Sequence, residues 1–171
     1  MNKVRVAIIC GGKSSEHEIS CISANGILDA IDRSKFEPVL IGITKSGKWL
    51  LLPDDTTFIT LNGALPTVPE SGIEVSITSQ GLFSGGKNLA IDVAFPILHG
   101  TYGEDGTIQG LFEMIGLSVV SFKYDSAVEN SSKIEISFDT KPCATFSINS
   151  SFDSFKFGVV FFDISHHCIF Q

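Results

Sequence analysis

Two short stretches of this chain set ionisable side chains beside glycines, where a small molecule can approach the backbone closely. The first is GGKSSEHEIS, Gly11 to Ser20, in which Glu16 and Glu18 follow a Gly-Gly turn. The second is HGTYGEDGTIQG, His99 to Gly110, in which Gly100, Gly103 and Gly106 follow His99. The GKS of the first stretch invites a phosphate-loop reading. Such a loop needs G-x-x-x-x-G-K-[ST], because its first glycine opens the turn whose amides wrap the phosphates. Counting back from Gly12, that position is Ala7, inside an apolar run, so the match fails; G-x-G-x-x-G fails too. A glycine turn leading into a helix N-terminus remains. Its free amides and partial positive charge suit an anion. Glu16 and Glu18, however, would repel a phosphate there and attract an ammonium group. The plainer alternative is that both glutamates only cap the helix. In the second stretch the glycines allow positive φ or close backbone approach. His99, at a strand end, could hydrogen-bond a carboxylate; the plainer alternative is a structural donor.

The elements that must hold these residues follow from hydrophobic periodicity. VRVAIIC is a continuous apolar run ending in glycine, the pattern of a buried strand. Beyond Gly12 the period changes: Ile19, Ile22, Ile27, Leu28 and Ile31 fall near one face of a 3.6-residue helix. Ser15 and Glu18 have capping-box spacing, which predicts a helix start near Ser15. FEPVLIGIT reads as a second strand, KSGKW as a turn and WLLL as a third short strand, so the chain opens β-α-β, the unit of a parallel sheet covered by helices. Prolines and glycines interrupt residues 53–86, where the alternating run IEVSIT suggests an edge strand. IDVAFPIL is another buried strand, leading into the glycine loop at His99. Ile108, Leu111, Phe112 and Ile115 then mark an amphipathic helix stopped by Gly116, and LSVV a following short strand. In a sheet of this type the two glycine loops gather at the carboxyl ends of the strands, where ligands bind.

Composition narrows the function classes. The 171 residues are 43% hydrophobic, enough for a real core. A formal net charge of −7 argues against a nucleic acid or an anionic membrane as partner. The apolar run at the start is too short for a signal-peptide core, and no run reaches the length of a membrane-spanning helix. Cys10, Cys21, Cys143 and Cys168 lack metal-ligand spacing and are expected to be reduced thiols. His166, His167 and Cys168 are adjacent, and on a strand three neighbours cannot converge on one metal.

In sequence, order and separation, GGKSSEHEIS and HGTYGEDGTIQGLFEMIGL resemble the N-terminal domain of D-alanine–D-alanine ligases, over about Val4 to Val120. The resemblance implies a Rossmann-like parallel α/β sheet flanked by helices, the pre-ATP-grasp domain. It implies a cytoplasmic ATP-grasp ligase of peptidoglycan synthesis, in which ATP and Mg²⁺ activate one D-alanine as an acyl phosphate and the amine of a second attacks it. Carried over, Glu16 matches the glutamate that holds the ammonium of the first D-alanine. His99 matches the histidine of the H-G motif near the same substrate, with Gly100 and Ser15 among the substrate-binding positions. A homodimer is compatible with it; nucleic acid and membrane are not expected as partners.

After GLSVV the likeness stops. The family continues into a glycine-containing loop, a serine-bearing helix and a Met-Asp-Lys stretch; here SFKYDSAVENSSKIEIS stands instead. The family's nucleotide-binding lysines, phosphoryl-stabilising arginine and metal-binding acids have no counterparts, so no cofactor or metal site is expected in this chain. Residues 1–120 are read as the ligase-like domain and 121–171 as a divergent Ser/Phe-rich tail, the product of a frame shift or truncation near Val120. The tail's phenylalanines follow no period, so loose packing is expected, with FGVVFF an aggregation-prone run. Two rival readings are a non-catalytic amino-acid-binding or dimerisation module and a different ATP-grasp amino-acid ligase.

Overall fold

The computed structural model describes residues 3–124 and the segments 133–138 and 145–149; of residues 121–124 and of the last two segments only the backbone is described. The expectations for FGVVFF, for the His166–Cys168 triplet and for Cys143 lie outside the described residues.

Strand β1 (Val4–Gly11) lies between two parallel neighbours. After helix α1 (His17–Ala30), strand β2 (Phe36–Ile43) pairs with one side of β1, Val4 opposite Phe36 through Gly11 opposite Ile43. Strand β7 (Val93–Pro96) pairs with the other side, and β8 (Ser118–Tyr124) follows it, also parallel. The β-α-β opening is as the periodicity predicts. Side chains of β1 alternate strictly between two apolar layers: Val6, Ile8 and Cys10 join one core cluster, Ala7 and Ile9 the other. Burial on both faces is why its sequence is apolar without interruption. Helix α1 and parts of the 52–68 segment cover the first layer; helix α2 (Thr107–Met114) covers the second. On that second side the Trp49 ring meets Phe112 edge-on, with ring centroids 6.3 Å apart.

The sheet is mixed rather than purely parallel. Beyond β2 run β3 (Trp49–Leu51), β4 (Ile73–Thr78), β5 (Gly81–Ser84) and β6 (Lys87–Asn88), all antiparallel. On the far side β8 pairs antiparallel with β9 (Lys133–Phe138), and β9 with β10 (Thr145–Asn149). The IEVSIT segment, β4, is not an edge: it pairs with β3 on one side and with β5 on the other. Its alternation reports one covered face, on which Val75 is buried, and one solvated face. The expected LSVV strand continues through Tyr124.

Helix α1 departs most from its predicted face. Its buried residues are His17, Ser20, Cys21, Ala24 and Leu28, while Ile19 and Ile22 are 46% and 39% exposed. The true stripe contains two polar residues that a hydropathy count discards. Each is buried because the backbone needs it. Ser20 Oγ accepts the Gly11 N–H (2.8 Å) and donates to the Ile97 carbonyl, joining the ends of β1 and β7. His17 Nδ1 lies 2.7 Å from the Gly12 carbonyl, and the Val68 N–H donates to Nε2 at 3.1 Å. Since Val68 can donate only to a bare nitrogen, the His17 hydrogen sits on Nδ1 and goes to Gly12. Helix α2, by contrast, buries Ile108 and Phe112 with Leu111 and Ile115 packed beside them, and Gly116 follows its end with φ +69°.

Ser20→Ala leaves a buried N–H and a buried carbonyl without that partner. We expect a loss of about 1–3 kcal/mol in unfolding free energy, read as a lower urea midpoint at unchanged slope. A midpoint equal to wild type would mean that the two strand ends are held by other contacts.

Candidate functional site

The order β7-β1-β2 makes β1 the point from which the chain first runs one way across the sheet and later returns on the other side. Loops leaving the carboxyl ends of such neighbouring strands border a common crevice. Here they are residues 12–16, after β1, and residues 97–106, after β7. The strand ends are kept together by the Ile97 N–H, which donates to the Ile9 carbonyl at 2.7 Å.

Ser14 joins the two loops. Its hydroxyl donates to the His99 carbonyl at 2.8 Å and accepts the Glu16 N–H at 3.1 Å. Glu16 then lies against the glycine loop. A Cβ on Gly100 would stand 2.5 Å from Glu16 Oε2, and Gly100 has φ +69°. Both facts demand glycine: the conformation disfavours an L side chain, and the space is taken by the carboxylate. Three residues on, a Cβ on Gly103 would lie 2.3 Å from the Leu98 carbonyl oxygen. Both uses foreseen for these glycines therefore occur, positive φ at Gly100 and close backbone approach at Gly103. The His99 ring is bracketed by Ser23 Oγ, 3.2 Å from Nε2, and by Glu104 Oε1, 3.7 Å from Nδ1.

The capping interpretation holds only in part: the Glu18 carboxylate takes a hydrogen bond from its own backbone N–H in the first turn. Helix α1 has Glu16 itself at the N-cap, with no side-chain capping bond, and the predicted Ser15–Glu18 capping box is not formed. The Glu18 carboxylate also receives the Lys45 ammonium, which, chiefly by that hydrogen bond, holds its carboxyl below the usual range. Glu16 has no cation partner among the described residues. Of the two acids in the first turn, one is neutralised from β2's following turn and the other faces the glycine loop unpaired. Ser15 is exposed, and Ser14, one residue earlier, makes the bridge to His99. The bonding roles of Ser14, His17, Ser20 and Ser23 are not evident in the apolar periodicity. A usable signal is spacing: Ser23 follows Glu16 by seven residues, two turns of helix, on the side of α1 that also carries Ser20.

The loop's far end is held by Asp105, whose Oδ2 accepts the Tyr102 N–H and whose Oδ1 accepts the Thr107 N–H, each at 3.0 Å. Tyr102 is thereby kept at φ +71°. Its hydrogen bonds, to Thr107 first and then to the Tyr102 backbone, lower the Asp105 carboxyl pKa.

The glycine turn after β1 presents the unpaired Glu16 carboxylate where a phosphate would need cations, and no three His, Cys, Asp or Glu among the described residues are grouped to hold a metal. Cys10 and Cys21 are free and buried side by side between β1 and α1; the Cys21 hydrogen bond and burial push the Cys10 thiol up. Both side chains belong to the first core layer. No helix among the described residues is long and apolar enough to cross a membrane.

The site thus sets a carboxylate, an imidazole and a glycine loop at adjacent strand ends of an α/β domain. Residues 5–121 match the family described as D-ala D-ala ligase N-terminus. The chain belongs to that family. It is 43% identical over 132 residues to the D-alanine–D-alanine ligase of Bifidobacterium adolescentis, covering 70% of this chain and 35% of that one. It is 45% identical over 130 residues to the ligase of Rhodococcus jostii, covering 69% and 35%. Among solved structures it is similar to the VanG D-Ala:D-Ser ligase from Enterococcus faecalis, with TM-score 0.59 and 34% identity over 70% of this chain and 36% of that one. The chain thus spans about a third of the length of the relatives it matches.

Two predictions follow from this geometry. Gly100→Ala is expected to displace the Glu16 carboxylate and to cost about 1 kcal/mol or more from the positive φ alone. Thermal unfolding reads the cost, and changed amide shifts at Glu16 read the displacement; an unmoved Glu16 would show that the two are not in contact. Asp105 has a depressed folded value, so its hold on the loop is complete above the ordinary Asp range (about 3.9) and is lost as pH falls through the lower folded value. The amide shifts of Tyr102 and Thr107 should titrate together with a midpoint below that of a free Asp, and Asp105→Asn should abolish both titrations. A midpoint at the ordinary value would exclude the proposed hold.

Proposed function

We infer that this chain is the portion of a D-alanine–D-alanine ligase that receives the first D-alanine. One observation carries the reading: the unpaired Glu16 carboxylate lies over Gly100, with His99 beside it on the same loop. A zwitterionic amino acid needs an anion for its ammonium and a donor for its carboxylate. Glu16 supplies the first and the His99 ring the second. Gly100, having no side chain, lets the Glu16 carboxylate lie against the loop, and the exposed Ser15 precedes Glu16 in the chain. With Glu18 occupied by Lys45, the unpaired carboxylate against the glycine loop is that of Glu16.

In this reading the longer ligase joins two D-alanines for peptidoglycan. ATP and Mg²⁺ supply phosphoryl activation there, and that chemistry is not assigned to residues of this chain. What these residues do is bind and orient: the ammonium is fixed by charge and the carboxylate turned toward the imidazole. The division at residue 120, with 121–171 as a segment unlike the family, belongs to the same reading; the end of the family match at residue 121 supports it.

Two measurements test this. The 171-residue protein with ATP, Mg²⁺ and D-alanine should form no D-alanyl-D-alanine above a protein-free blank, because phosphoryl transfer depends on positioned cations; dipeptide formation would refute that. In a full-length ligase carrying this N-terminal segment, Glu16→Gln should weaken use of the first D-alanine by about 1.5–3 kcal/mol, the worth of a charge-assisted hydrogen bond. Unchanged kcat and KM for that substrate would remove Glu16 from the site.

A further inference from the structure

Residues 58–68 are tied to α1 at both ends. Asn25 Nδ2 donates to the Phe58 carbonyl, Asn25 Oδ1 accepts the Phe58 N–H at 3.0 Å, and the Val68 N–H goes to His17. Between these ties, residues 59–65 are exposed. Leu61 and Ala64 pair there through two N–H···O bonds, of 3.1 and 2.9 Å, and close a turn whose tip is Asn62-Gly63, with φ +51° and +80°. We propose that Asn62 is a site of spontaneous covalent modification: the Gly63 backbone nitrogen displaces its side-chain amide, and water converts the resulting succinimide into aspartate and isoaspartate.

The step needs only base and water. The Gly63 nitrogen, losing its proton, bonds to Asn62 Cγ; the Cγ–Nδ2 bond breaks, and the proton leaves with the nitrogen as ammonia. Water then opens the five-membered ring at Cγ, giving aspartate, or at the main-chain carbonyl carbon, giving isoaspartate. The net exchange is a water taken up and an ammonia released. Around Gly63 nothing lies within 4 Å of where a Cβ would stand, so its nitrogen is uncrowded. Neither its N–H nor the Asn62 carboxamide has a hydrogen-bond partner among the described residues. Bringing the nitrogen to Cγ requires a rotation of the Asn62 main chain, which breaks only the Leu61–Ala64 pair, at an exposed tip of the kind that opens at little cost.

Asn25-Gly26 is the same dipeptide in the opposite setting. Gly26 lies inside α1, where its N–H belongs to the helix ladder, and both ends of the Asn25 amide are engaged by Phe58. Attack there requires the helix to open. Asn88 is occupied as well, by the Gln80 carbonyl and the Ala90 N–H, and is followed by Leu89 rather than glycine. At Asn62, either product adds a carboxylate beside the exposed Leu61. Isoaspartate also lengthens the main chain by a carbon, so the two-residue turn cannot close as before. With Phe58 and Val68 still tied to α1, the change stays at the tip.

The test ages the 171-residue chain in warm, mildly alkaline ¹⁸O-water, both folded and in guanidinium chloride, and follows the Asn62 and Asn25 peptides by mass spectrometry. In the folded protein Asn62 should convert at least about tenfold faster than Asn25, taking up ¹⁸O and giving both aspartate and isoaspartate. Unfolded, the two Asn-Gly pairs should converge in rate. Amide shifts of the aged, folded protein should move only over residues 59–66. An Asn62 that converts in guanidinium chloride but not in the folded chain would show that the turn protects it and would overturn the proposal, as would an Asn25 that keeps pace with Asn62 in the folded chain. Shifts spreading into α1 would overturn the confinement of the change to the tip. D-alanine takes no part, so this proposal and the functional reading can fail independently.

Discussion

The polar start of α1 is sunk in an apolar core, and the rest of the functional end of the sheet depends on how it is satisfied. His17 and Ser20 are fully buried. A buried polar group without a partner costs about 1–3 kcal/mol, so both must bond, and the backbone they bond to comes from three separate places. Gly11 and Gly12 belong to the end of β1, Ile97 to the residue after β7, and Val68 to the segment over the first core layer. Two side chains therefore fasten three strands of chain to the helix. Glu16 and Ser14, immediately before it, have their positions decided by the same fastening.

Packing on the two faces of β1 adds a second constraint. Because both faces are covered, β1 cannot shift by one residue without exchanging its two apolar sets. Its carboxyl end is thereby fixed beside that of β7, and the two glycine loops emerge next to one another. The proposed site draws on both loops. The carboxylate comes from one and the imidazole from the other, joined by the Ser14 hydroxyl. Charge is arranged as economically: Lys45 engages Glu18, and Glu16 is left facing Gly100.

The antiparallel wings have a different role. Strands β3 to β6 extend the sheet beyond β2, placing Val75 and Leu82 in the second core layer with α2. Helix α2 in turn holds the glycine loop from its far side, where Gln109 Nε2 donates to the Gly103 carbonyl. The loop is thus anchored at both ends, through Ser14 to the segment after β1 and through Asp105 and Gln109 to α2.

The sequence by itself determined the central strands and α2, because continuous apolar runs and a clean 3.6-residue stripe arise only where burial is set by apolar contact. It also determined the family, since GGKSSEHEIS and HGTYGEDGTIQG are local patterns whose glycines serve the backbone. The buried face of α1 was legible only in part. Ile19 and Ile22 are apolar yet turned outward, while His17 and Ser20 are polar yet buried, because long-range hydrogen bonds rather than hydropathy decide that face. Likewise IEVSIT alternates because one side of it is covered, and nothing local reveals that β5 adds a second neighbour. The release of Glu18 to Lys45, the seat of Glu16 over Gly100 and the approach of Ser23 to His99 were decided by tertiary structure alone. Each joins residues far apart in the chain, and no local pattern encodes a contact that exists only once two strand ends lie side by side.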